Sequence, residues 1–89
     1  MKHFEYALGF PGSLEALATS VGNMRYDKVA EFLTLLADDF KRQADDDLKR
    51  GRPKLAKRLY ETANQIYLAR DEMLLTWKIC EPYMKDEEK

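Results

Sequence analysis

The sequence predicts an all-α protein: a long antiparallel helical hairpin preceded by a short N-terminal helix, completed as a four-helix-type bundle by dimerisation. Three observations carry this prediction. Two stretches, 26–50 and 53–81, place apolar residues at steps of three and four along their whole length, the period of one helix face. They meet at Gly51 and Pro53, a helix stop followed by a helix start. The composition, 45% hydrophobic and 35% charged with only 4 Gly and 3 Pro in 89 residues, suits packed helices in one domain rather than a disordered tail, a collagen or a sandwich of short strands.

Residues 1–12 read as an arm. Phe4, Tyr6, Leu8 and Phe10 fall at every second position, the period of an extended strand, although a helical turn is the alternative, and Pro11-Gly12-Ser13 ends the pattern. Ser13 then caps a short helix over 13–21 with Leu14, Leu17, Ala18 and Val21 on one face, and Gly22-Asn23 supply its stop.

The first long helix, 26–50, carries Val29, Phe32, Leu33, Leu36, Phe40, Ala44 and Leu48 on its apolar side. The second, 53–81, carries the stripe Ala56, Leu59, Ala63, Ile66, Arg70, Met73, Trp77, Cys80 and Met84, with Pro82 expected to disturb the last turn ahead of a charged tail, 85–89. A turn at Gly51-Arg52 brings Phe40 level with Ala63, Leu36 with Ile66 or Tyr67, and Leu33 with Arg70, an antiparallel pair.

At about 1.5 Å per residue the short helix spans roughly 14 Å against about 37 and 42 Å for the long pair, so it cannot cover the hairpin. The second long helix also has an apolar edge, Tyr60, Tyr67 and Leu74, and a back face of Leu68, Leu75 and Ile79. The partner interface is therefore expected at Tyr67, Leu68, Leu74, Leu75 and Ile79, filled by a second copy or an unknown protein partner, with the aromatic arm folding back as the alternative cover.

Charge is nearly balanced, 15 basic against 16 acidic residues, which argues against a chain built wholly around nucleic acid or an anionic membrane. Its distribution is uneven, however. Residues 41–58 hold eight basic and three acidic side chains, so the hairpin tip is predicted to be positive and the rest negative. Within it, Lys49-Arg50-Gly51-Arg52-Pro53-Lys54 contains an Arg-Gly-Arg-Pro core that resembles an AT-hook. The resemblance implies an extended segment lying in an A·T minor groove with its arginines in the negative potential, and Lys49, Arg50, Arg52, Lys54, Lys57 and Arg58 as polyanion contacts. The helix reading of the same residues makes Gly51 a cap, Pro53 a restart and the cations complements to a helix C-terminus.

Catalytic constellations are absent from the pattern. His3 is the single histidine, nothing in the spacing sets it beside Cys80, Ser13 or Ser20, and no phosphate-cradling glycine loop occurs. Asp45-Asp46-Asp47 point about 100° apart on a helix and do not converge on one ion; Asp45 to Lys49 and Asp46 to Arg50 are expected as ion pairs instead. No cofactor or metal is expected. Cys80, without a second cysteine, reads as a small buried hydrophobe, and Arg70, on the core stripe, either snorkels or forms a buried ion pair with Glu31, Glu15 or a carboxylate across a dimer. No apolar run reaches the length of a membrane span, and a charge stands where a signal peptide has its apolar stretch, so the expected compartment is the cytoplasm.

These features lead to a non-enzymatic protein–protein interaction module or small accessory subunit. Nucleic-acid binding through the basic tip, Lys49 to Arg58, is the alternative. A small apolar ligand between helices at Tyr60, Tyr67 and Trp77 is a third reading.

Overall fold

In the computed structural model, which describes residues 3–87, three helices follow in order: α1 (Leu14–Gly22), α2 (Tyr26–Lys49) and α3 (Pro53–Glu87). The outer ends of the expected arm and tail, residues 1–2 and 88–89, lie outside the described residues. α2 and α3 pack along their lengths as the hairpin, and α1 rests on α2 alone.

α1 starts where its cap predicts: the Ser13 hydroxyl accepts the Ala16 N–H at 3.1 Å. It ends at Gly22 with Asn23 in ordinary right-handed geometry, its N–H donating to the Thr19 carbonyl. Before it, the arm is neither a strand nor a helix. Gly9, at φ 84°, turns the chain so that the Phe10 N–H donates to the Ala7 carbonyl at 3.2 Å, which breaks the period-two pattern at its centre.

Between the long helices the turn is a tight cap. Gly51 adopts φ 76°, its N–H donates to the Leu48 carbonyl at 3.1 Å and the Arg52 N–H donates to the Asp47 carbonyl at 2.8 Å, which together form a Schellman motif. Pro53 then opens α3, where its missing N–H would have had no partner. The third helix continues through Pro82 to Glu87, beyond the boundary at residue 81 that proline suggested. One N–H is lost there, yet φ of proline is compatible with a helix, and the helix is already 29 residues long when it reaches Pro82.

The seam between α2 and α3 is made of alanine. Ala37, Ala44, Ala56 and Ala63 are completely buried, Ala30 nearly so, and Val29 is the one larger residue beside them. Ala30, Ala37 and Ala44 recur at heptad spacing, as do Ala56 and Ala63, so small side chains meet at every second turn and the helix axes approach closely. Larger residues such as Leu33, Leu36, Phe40, Leu59, Ile66, Met73 and Trp77 flank this seam half-buried. Phe32 and Leu48, expected inside, are exposed.

The result is a slab measuring 55 × 29 × 14 Å, one helix thick. Its accessible surface is 7077 Å², whereas a compact monomer of this mass exposes about 5,400 Å². Domains normally bury an apolar face between two layers, and here one layer stands largely alone.

Candidate interaction surface

The outward side of α3 is apolar and uncovered. Leu68, Leu75, Ile79 and Tyr83 are 58, 54, 72 and 65% exposed, and their spacing by seven, four and four places them on one stripe opposite the alanine seam. The arm does not shield it: Phe4, Tyr6 and Leu8 are themselves exposed, the first two tilted against each other with ring centroids 5.8 Å apart. α1 is placed elsewhere, forming with Phe32 of α2 an open apolar groove lined by Leu14, Leu17, Ala18 and Val21.

Tyr67 and Leu74, expected on the same surface, occupy the neighbouring edge. The Tyr67 hydroxyl donates to Asp38 and the Tyr60 hydroxyl to Asp45, so both phenols are engaged by α2 across the hairpin. Hydrogen bonding to a carboxylate raises both phenol pKa values above their usual range, with partial desolvation adding to it; at Tyr67 the nearby Arg70 charge opposes the rise. The Tyr67 ring also meets the Arg70 guanidinium 5.0 Å from its centroid and the Lys41 ammonium at 6.0 Å. Leu74 continues this edge at 40% exposure. Asp38, Asp45 and Lys41 were invisible as functional partners in a reading of each helix by itself. Their signal was the repeat of Tyr60 and Tyr67 at heptad spacing opposite a heptad-spaced pair of aspartates.

Within the chain Arg70 does not pair with Glu31 or Glu15 among the described residues. Its Nε lies 3.0 Å from Asp71 on its own helix, with 29% of the side chain exposed, while Glu31 pairs with Lys28 at 3.0 Å. The guanidinium therefore slides along the Tyr67 face to reach solvent rather than entering the seam. Trp77 is separated from Tyr60 and Tyr67 and stacks beneath Arg25, whose guanidinium is 5.5 Å from the ring centroid. Cys80 is half-buried, not buried, in an open cleft between Met84 and the α1–α2 connection, Gly22 to Tyr26.

At the tip, Lys49, Arg50, Arg52, Lys54, Lys57 and Arg58 are all exposed around the Schellman turn. The Arg-Gly-Arg-Pro segment is thus folded into a cap instead of extended. Arg52 contacts Asp47 at 3.4 Å and Arg58 contacts Glu61 at 3.1 Å. The expected Asp45–Lys49 and Asp46–Arg50 pairs are replaced: Asp45 accepts from Tyr60, and Arg42 bridges Asp39 at 3.0 Å and Asp46 at 3.3 Å. Bonds from Gln43 and then Arg42 lower the Asp39 pKa, as bonds from Arg25 lower that of Asp27. The three consecutive aspartates face different partners, and no group of carboxylates, histidines or thiols among the described residues is arranged to hold a metal ion.

No helix of the described residues is long and apolar enough to cross a membrane. Comparison with models of known families, with curated proteins and with solved structures gives no match to this chain.

Proposed function

We propose that this protein is a non-enzymatic interaction module of the cytoplasm, acting through the outward face of α3 as a homodimer or as a small accessory subunit. The observation that carries this reading is the stripe Leu68, Leu75, Ile79 and Tyr83, more than half exposed at each position. A helix in a stable bundle keeps such a stripe out of water, and roughly 25 cal/mol for each Å² of apolar surface covered is available to whatever docks there. The large accessible surface supports the same reading, since a slab one helix thick lacks the second layer that would bury it.

The basic tip is less suited to minor-groove recognition. Its Gly51 and Arg52 backbone groups are committed to the cap, and two of its arginines are held by Asp47 and Glu61.

Sedimentation velocity tests the reading. The expected species at micromolar concentration has twice the 10.4 kDa mass of the chain, and Leu75→Glu converts it to monomer by placing a carboxylate in an apolar contact. A wild-type protein that stays monomeric throughout the concentration series overturns self-association through this face; a dimer unaffected by Leu75→Glu places the contact elsewhere.

A further inference from the structure

Charge beside the apolar stripe selects how two copies meet. Along α3, Asp71 and Lys78 flank Leu68, Leu75 and Ile79 on one side, while Ala69, Thr76 and Tyr83 flank them on the other. Lys78 is exposed and has no ion pair among the described residues, and Asp71 is paired only with Arg70 of its own helix, its side chain still 58% exposed. The Thr76 hydroxyl donates to the Glu72 carbonyl at 2.9 Å, so this flank offers a methyl group without an unsatisfied donor. One side of the stripe is uncharged, and the other carries one charge of each sign one heptad apart.

We infer that α3 pairs antiparallel with α3 of a second copy about a twofold axis near Leu75, with Leu68 packed on Ile79 of the partner subunit and Asp71 facing Lys78 of the partner subunit, each contact occurring twice. This rests on the self-association proposed above and adds its geometry. Charge selects it. In a parallel pair a twofold axis along the helices sets the charged flank of each against the uncharged flank of the other and leaves Asp71 and Lys78 without a partner; reversing one helix sets charged flank on charged flank, so Asp71 meets Lys78 of the partner subunit at both levels.

Area supports a second copy as the occupant. The chain exposes about 1,700 Å² more than a compact monomer of its mass, and an obligate dimer takes upward of roughly 1,000 Å² from each partner. A self-complementary surface of this kind closes after two subunits, so it gives a dimer and not a filament. The two hairpins would then stack as a second layer for each other, with the basic tips directed to opposite ends.

Cross-linking reads the orientation directly. Leu68→Cys and Ile79→Cys, each in a Cys80→Ser background, are treated with a short bismaleimide separately and after mixing. The expected result is linked dimer in the mixture and little in either protein alone, because the antiparallel register sets residue 68 beside residue 79 of the other copy. Linked dimers in each separate sample would show a parallel pair and overturn the inference while leaving self-association standing. Absence of linkage in all three samples, with the wild type dimeric by sedimentation, would place the contact on another surface and overturn it as well. The charge pair has its own test. Asp71→Lys is expected to weaken the dimer several-fold by setting two lysines together, and adding Lys78→Asp to restore most of the loss. A double variant as weak as the single would remove the Asp71–Lys78 contact from the proposal.

Discussion

Tyr67 on α3 donates its hydroxyl to Asp38 on α2, one heptad from the Tyr60–Asp45 bond and in the reversed order that antiparallel helices require. Sliding α3 by one turn would unmake both bonds, so the pair fixes the register of a hairpin whose alanine seam alone would tolerate several. The series stops at the next heptad, where α3 offers Leu74.

These bonds make alkaline pH the sensitive side. Ionising either phenol removes the hydrogen bond it donates to its aspartate and sets two anions together, so both tyrosine pKa values are raised. A group whose folded pKa exceeds its unfolded one contributes stability that is full below about pH 10 and lost as pH climbs through the folded value. Melting temperature is therefore expected to drop as pH rises beyond about 10, in step with phenolate absorbance, and the drop should flatten in Tyr60→Phe/Tyr67→Phe. Parallel curves for the two proteins would show that the bonds are not formed in solution.

The alanine seam should respond to enlargement more than to truncation. Ala63→Leu inserts three carbons where the helices touch and is expected to cost at least about 1–3 kcal/mol in urea unfolding. Asn64→Leu, on the adjoining exposed position, should stay within about 0.5 kcal/mol. Equal losses at both sites would mean the helices do not meet along the alanines.

Gly51 has open space where a Cβ would stand, with no atom within 4 Å, yet its φ of 76° is costly for any L side chain. Gly51→Ala should thus destabilise the fold by about 1 kcal/mol through backbone strain alone. An unchanged urea midpoint would show that the turn relaxes without a left-handed residue.

Duplex binding separates the cap from the motif it resembles. A labelled A·T-rich duplex and a G·C-rich one at about 150 mM salt should both bind weakly, with any low-salt signal reduced by Arg50→Ala and Arg52→Ala, since phosphate attraction is screened and sequence-independent. Submicromolar preference for the A·T duplex, lost in those variants, would make the tip the functional element.

The helices, their antiparallel sense and the Gly51 turn were legible because apolar period, caps and breakers are local properties. The seam was misjudged for a physical reason. Weighing residues by hydrophobic bulk highlights Phe32, Phe40 and Leu48 and passes over Ala30 and Ala37, although the smallest side chains sit deepest when two helices approach closely. Arg70 was placed correctly on the stripe but its outlet, the face of Tyr67, depends on a neighbour one turn away and on the Asp38 bond that holds that ring. Leu68, Leu75 and Ile79 were recognisable as surplus apolar surface from their angle on α3 alone.

The tip also orders the entropy of closing the chain. Tyr60 and Asp45 are separated by 15 residues and Tyr67 and Asp38 by 29, and the Arg25–Trp77 contact at the open end spans a longer stretch still. Joining a longer loop costs more, though only about 0.6 kcal/mol for each doubling, and every contact made nearer the turn shortens the loop left for the next. The least costly route to the hairpin is consequently a zipper that begins at Gly51, passes the two tyrosines in turn, and draws Arg25 onto Trp77 last.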